Sequence, residues 1–445
     1  MQPFRFSFFR SLLGLSLLLI GSRVSAQLKP EDVQTFTLKN GMKFFVLEDH
    51  SIPNANFYTF WKVGSRNEAP GITGLSHFFE HMMFNGAKKY GPKEFDRVME
   101  RNGGANNAYT SQDQTVYTDW FPSSALETIF DLEADRIRDL AIADPMVESE
   151  RGVVLSERST NLENSNFTML YENLISVAFS EHPYSWPVIG YESDIKNWSK
   201  QDLVTYFKTY YAPNNALVVI VGDVRVDQVK RLAAQYFEPI PVLAPAPREV
   251  RTVEPEQRGE RRLLVKKDVS TPNLMLAYHV PAAKSPDYYA LDLLSSILSR
   301  GNSSRLYSSL VDQQELATYV TTDYSPTFDP GLFILYGVCA DSVTAEKLET
   351  AMYAELDKLL KNGLTAAELQ KVKNQKLMDF YHQIETINGM ANNIGTYERY
   401  FGDYRKLYDA PAEYAKVTAD DVLRVAKTYL KKSNRTVGYL QPNVD

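Results

Sequence analysis

The stretch His77-Phe-Phe-Glu80-His81 places two imidazoles and a carboxylate within about one helical turn, in a chain of 445 residues that has only six histidines. At about 100° per residue on a helix, Glu80 lies about 60° to one side of His77 and His81 about 40° to the other, so all three share a face. Leu75, Phe78, Phe79, Met82 and Met83 fall on the opposite side, as a core-facing stripe would. Two histidines at i and i+4 can turn both rings toward one ion. Neutral imidazole suits Zn²⁺, which takes three protein ligands at catalytic sites and keeps one position for water. Glu80 is placed to reach that water rather than the metal. Taken alone, the same residues also read as a solvated polar helix face. Gly74 precedes the run, and Asn85-Gly86 follow it as residues suited to a helix C-terminal cap.

A third ligand has to come from elsewhere. In VESERGVVLSERSTNLEN (Val147 to Asn164), Glu150 and Glu157 are seven residues apart and share a helix face, while Glu148 points the other way. One of the pair can supply a carboxylate to the metal. The other would sit behind it, orienting a ligand or holding a proton. The competing reading is a solvated Glu-rich helix.

The elements that position these groups are legible in outline. The N-terminal segment carries Arg5 and Arg10, an apolar run from Leu12 to Ile20 and small residues at Ser25-Ala26, the pattern of a secretory signal peptide spanning 1–26. The run is too short to span a bilayer, and an uncleaved anchor is the alternative. No later segment is long and apolar enough to cross a membrane, so the mature chain is expected to be exported, periplasmic or secreted. Cys339 is the single cysteine, which excludes an intrachain disulfide and leaves stability to core packing. A hydrophobic content of 44 % and a charged content of 23 % describe a globular protein. The net charge of −7, with no basic run, disfavours a nucleic-acid partner.

A Pro-rich stretch without helical or strand periodicity, residues 238–260, reads as a linker. The segments on either side, 27–237 and 261–445, repeat at an offset of 219. SIPN at Ser51 recurs as STPN at Ser270, KTY at Lys208 recurs at Lys427, Asp202 maps to Asp421 and Asn215 to Asn434. Each half opens with strand patterns, continues through helices and ends helix then strand, which predicts a duplicated α+β domain. The same offset takes His77, Glu80 and His81 to Ser296, Ser299 and Arg300, so the second half is expected to lack the metal.

His77, Glu80 and His81, followed after 75 intervening residues by Glu157 with Glu150 seven before it, strongly resemble the inverted zinc motif of the pitrilysin/insulinase/mitochondrial-processing-peptidase family, M16. The resemblance covers nearly the whole mature chain, including GGANNAYTSQDQTVYTDWFP, EHPYSWPVIGYESDI and YYAPNNALVVIVGDV, and the length is similar to the short bacterial branch. It implies two α/β-roll halves that close like a clam on a peptide. It implies one Zn²⁺ held by His77, His81 and Glu157, with Glu80 as general base and Glu150 as the supporting acid. It implies that Asn107 and Ala108, in NNAYT, pair with substrate backbone, as an exposed strand edge can; a plain surface hairpin is the alternative. In the second half the family's Tyr is matched by Tyr319, whose alternative is a core aromatic, but the Arg expected seven residues earlier is Asp312. Some metal-bearing relatives of this branch work with a partner that lacks the motif. The resemblance therefore implies either a heterodimer with such a subunit or, as the competing expectation, a homodimer. The activity implied is zinc endopeptidase; the competing expectation is a non-catalytic or partner-dependent assembly subunit.

Overall fold

Short apolar runs rich in Val, Ile, Phe and Tyr make the strands of this chain, and they gather into two sheets. A computed structural model describes residues 29–242, 247 and 249–443. Residues 1–26, where the sequence pattern predicts a signal peptide, lie outside the described residues. The first sheet contains β1 (Gln34–Thr37), β2 (Lys43–Glu48), β3 (Asn54–Trp61), β4 (Ala105–Thr110), β5 (Thr115–Pro122) and β6 (Ala216–Gly222), in the order β1-β2-β6-β3-β5-β4. Its helices are α1 (Leu75–Met82), α2 (Glu94–Arg101), α3 (Leu126–Asp139), α4 (Asp144–Asn164), α5 (Asn166–Ala178), α6 (Glu192–Asn197), α7 (Lys200–Tyr210) and α8 (Val226–Tyr236). The second sheet contains β7 (Arg261–Lys267), β8 (Asn273–Val280), β9 (Ala317–Asp323), β10 (Gly331–Cys339) and β11 (Arg435–Pro442), in the order β7-β11-β8-β10-β9. It is accompanied by α9 (Tyr288–Ser299), α10 (Ala345–Asn362), α11 (Ala366–Ile384), α12 (Ile387–Phe401), α13 (Lys406–Lys416) and α14 (Ala419–Tyr429).

The repeat is visible in the topology. The order β2-β6-β3-β5-β4 becomes β7-β11-β8-β10-β9, and the one parallel pairing in each sheet falls at the same place, β2 with β6 and β7 with β11. The 219 offset holds for β3 and β8, α7 and α14, and β6 and β11. It breaks between β4 and β9, which begin at Ala105 and Ala317. The class is α+β, with mixed, mainly antiparallel sheets flanked by helices.

One face of each sheet packs on its own helices. Phe44, Phe57, Trp61 and Tyr117 meet Phe78, Phe79, Ile129 and Leu203 in the first half; Leu276, Leu335 and Val437 meet Leu294, Met352 and Val425 in the second. The other face of each sheet is covered by a helix from the opposite half. α12 lays Met390, Ala391 and Ile394 on Phe45, Leu47, Phe60 and Val219 of the first sheet. α5 lays Leu170, Leu174 and Ile175 on Met275, Ala277 and Leu440 of the second. Each large apolar side chain buried this way contributes about 1.5–3 kcal/mol. Each exchange also relies on one glycine at the closest approach. A Cβ at Gly395 would lie 2.1 Å from the Phe60 ring, and one at Gly438 would lie 3.0 Å from Leu170.

At the edges, β4 and β9 each pair on one side only. Tyr319 of β9 is 50 % exposed, so the core-aromatic alternative fails; its ring sits 6.3 Å from that of Tyr336. Asp312 lies exposed in a π-helical turn, Tyr307–Gln313.

Candidate metal centre

The helix that carries the two histidines is fixed from three sides. Its start is capped by a buried acid: Gly74 and Ser76 donate their backbone N–H groups to the two oxygens of Glu68, at 2.7 and 2.8 Å. A negative group at the N-terminus is where the helix dipole favours one, yet burial raises the Glu68 carboxyl to about 8 against the pull of those N–H donors. Gly74 itself has φ +89, and a Cβ there would meet the Ile189 carbonyl oxygen at 2.4 Å, so only glycine fits this turn. The apolar face of α1 buries Phe78 against Trp198 and Phe79 against Tyr206 and Tyr211. The helix ends at Met82. Asn85-Gly86 lie beyond its cap, and Asn85 has a different use.

α4 packs against α1. Arg151 donates to the carbonyls of Ile195 and Trp198, and Arg158 pairs with Glu172 of α5. Glu148 points away, two-thirds exposed, toward Arg151. Glu150 and Glu157 face α1. Ligand atoms of His77, His81 and Glu157 all lie within 4.8 Å of one another. Nε2 of His81 is 3.4 Å and Nε2 of His77 is 3.7 Å from Oε2 of Glu157. A tetrahedral zinc site with bonds of about 2.1 Å has edges of about 3.4 Å, so the donor set and spacing fit Zn²⁺. Among the described residues no other group of His, Cys, Asp and Glu meets in this way.

Glu150 does not join the group. It accepts from Nδ1 of His81 at 2.7 Å, which leaves Nε2 of that ring facing Glu157. Nδ2 of Asn85 donates to the other Glu150 oxygen at 2.5 Å. Glu80 is also outside the group; its Oε2 accepts from the Thr110 hydroxyl at 2.5 Å. Asn85 and Thr110 are the residues that sequence reasoning missed. The motif segment contains Asn85 and NNAYT contains Thr110, but only the packing of α4 on α1 and the register of β4 give them partners.

Burial, reinforced by the charge of His81, lowers His77 to about 4, so it stays a neutral imidazole, the form that binds metal. Burial would lower His81 too, but its hydrogen bonds to Glu150 and Glu157 raise it to about 9. The bond to His81 holds both Glu150 and Glu157 below the usual carboxylate range. Burial raises Glu80, partly countered by Thr110.

Asn107 and Ala108 lie on β4, the edge strand beside α1. Asn107 is exposed and Ala108 half-buried. Among the described residues no hydrogen bond joins Tyr319 to the metal group.

The family described as insulinase, peptidase family M16, matches residues 44–192, and the peptidase M16 inactive domain matches 197–376. The chain is 34 % identical to the zinc protease PqqE of Helicobacter pylori, over 97 % of this chain and 99 % of the relative. It is 26 % identical to a probable mitochondrial-processing peptidase subunit beta of Schizosaccharomyces pombe, over 88 % of each. The crystal structure of a protease from Helicobacter pylori superposes with a TM-score of 0.89 at 34 % identity, covering 92 % of this chain and 99 % of that one.

Proposed function

The chain belongs to peptidase family M16, the insulinase family of zinc proteases, and from that premise we propose that it is a zinc endopeptidase cutting peptides or unfolded segments held between its two halves. The observation that supports this most is the meeting of His77 and His81 from α1 with Glu157 from α4, with Glu80 alongside and outside the ligand set. When bound, Zn²⁺ supplies Lewis-acid polarisation of the scissile carbonyl and a water of near-neutral pKa.

The chain's own residues do the rest. The Glu80 carboxylate takes a proton from the attacking water and hands it to the leaving amine; its raised proton affinity suits both transfers. Glu150 holds the Nδ1 proton of His81 and so fixes that ring. The free edge of β4, at Asn107 and Ala108, receives the peptide by strand addition, which reads backbone rather than side chains. Tyr319, exposed on β9, contacts the substrate from the second half.

The same reading places the mature chain outside the cytoplasm, working as a homodimer or beside a metal-free M16-like subunit. One observation favours the second reading, a partner-dependent or non-catalytic subunit: Asp312 stands where the resemblance expects a substrate-holding Arg. Purified mature protein, assayed alone for zinc content and peptide hydrolysis before and after chelation, decides between them. Chelator-sensitive cleavage with one zinc per chain is the expected result. Zinc without cleavage, with activity appearing only on adding a partner, supports the second reading.

A further inference from the structure

Glu80 sits one residue before a metal ligand, on the ligand face of α1, yet it stays out of the ligand group. Its carboxylate is turned aside to the end of β4, where Thr110 donates its hydroxyl at 2.5 Å, the one side-chain hydrogen bond Glu80 makes among the described residues. The neighbouring residue of that strand is tied the opposite way. Side chains alternate across a strand, and the hydroxyl of Tyr109 donates to Oδ1 of Asn392 on α12 at 3.2 Å. α12 is the helix that the second half lends to the first sheet. The end of the proposed substrate strand is thus held between Glu80 on one side and the second half on the other.

We propose that Thr110 is a positioning residue for Glu80, keeping its carboxylate off the metal and free for the water, and that Asn392 steadies this arrangement from the second half. The inference rests on the proteolytic reading above. Two considerations carry it. A carboxylate next to His81 with no hydrogen-bond donor of its own is a competitor for the open coordination position, and a short hydroxyl bond removes that option. The metal-free half offers an internal comparison: Ser299, where the 219 offset places the counterpart of Glu80, is held at 2.6 Å by Thr322, again a threonine of the edge strand. The fold supplies an edge-strand hydroxyl to this part of the helix in both halves, and only the first half gives it an acid to hold.

The test uses the zinc-loaded full chain and an unstructured fluorogenic peptide. Thr110→Val should lower kcat by about 10- to 100-fold with KM within about threefold, since the base is misplaced rather than removed. Zinc should stay at one per chain and the melting temperature should not move. Thr110→Ser should restore kcat to within about threefold, because it returns the hydroxyl. Asn392→Ala should lower kcat by about threefold, as it acts through Tyr109. A Thr110→Val enzyme with full kcat overturns the proposal. So does one that loses zinc or unfolds while Thr110→Ser does the same, since that marks a structural role. An Asn392→Ala enzyme of unchanged kcat removes the second half from it. If the wild-type protein cleaves nothing, the proteolytic reading falls, and the cobalt-substituted protein then tests Thr110 separately. A ligand-field spectrum changed by Thr110→Val and restored by Thr110→Ser upholds the positioning role; an unchanged spectrum overturns it.

Discussion

In the first half, α1 and α4 face each other through two imidazoles and a carboxylate with room for a dication among them. In the second half, the corresponding helices α9 and α11 are joined by cations that the protein carries itself. Lys376, at the position the 219 offset assigns to Glu157, bonds Asp292 of α9 at 2.7 Å, and Tyr414 donates to the other Asp292 oxygen. Arg300, at the position assigned to His81, makes a two-pronged bond to Asp379 of α11. The two helix pairs therefore solve one problem, joining a pair of packed helices, in two ways. A tethered ammonium or guanidinium gives a closed, permanent link. Imidazoles and a carboxylate give a link that needs an exchangeable ion and so keeps a coordination position open. The comparison teaches how a duplicated fold can confine a candidate metal site to one half: two of its ligand positions are occupied in the second half by Lys376 and Arg300, each paired with an acid of its own.

Several measurements would break or sharpen that contrast. The largest effect belongs to His81→Ala, which should abolish zinc binding and reduce peptide cleavage to background, read by metal analysis and peptide hydrolysis. Retained stoichiometric zinc would sink the ligand assignment. Glu80→Gln should keep one zinc per chain and lower kcat by about 10²–10⁴-fold. A variant that cuts as fast as wild type would remove Glu80 from the chemistry. In the second half, Lys376→Met leaves Asp292 partly buried without its cation and should cost about 1–3 kcal/mol in chemical denaturation. Zinc content and KM should be untouched; a loss of zinc would mean that the two cradles are coupled.

The smallest effect concerns the core beneath α1. Asp119 is buried with both carboxyl oxygens unpartnered, and burial, with Glu133 beside it, holds its carboxyl well above the ordinary range. The folded chain keeps a proton there that the unfolded chain gives up above about pH 4. The stability tied to this group is therefore present at low pH and is lost as pH rises. Asp119→Asn should remove that loss and flatten the pH dependence of the melting temperature above about pH 4. An equally steep dependence in the variant would place its source elsewhere.

Much of this was legible in the residues. The i, i+4 histidines with Glu80 between them, and the seven-residue spacing of Glu150 and Glu157, put these groups on two helix faces, and the structure brings His77, His81 and Glu157 together. The 219 offset located β8, β11 and α14 from β3, β6 and α7. Periodicity says which face of a helix is apolar, not which sheet will cover it, so the exchange of α5 and α12 was hidden: Leu170 and Ile394 look like ordinary core residues of their own halves. Thr110 and Asn85 were hidden for a related reason, because each is a polar residue in a loop-like or edge setting whose partner lies far along the chain. Tyr319 left two readings open, and only its exposure on the edge strand removed one. The offset also failed where the chain changes length, between β4 and β9, so the partner of Ser299 could not be found by arithmetic.

The exchange of α5 and α12 has a consequence for synthesis. A chain emerging from the N-terminus completes all six strands of the first sheet by Gly222, yet Phe45, Phe60 and Val219 have no cover until Ile387–Phe401 arrives. For the roughly 165 residues in between, a bare apolar surface faces whatever the nascent chain meets. A fragment ending in the 238–260 stretch should require a holding chaperone, or the remainder supplied in trans, to stay in solution.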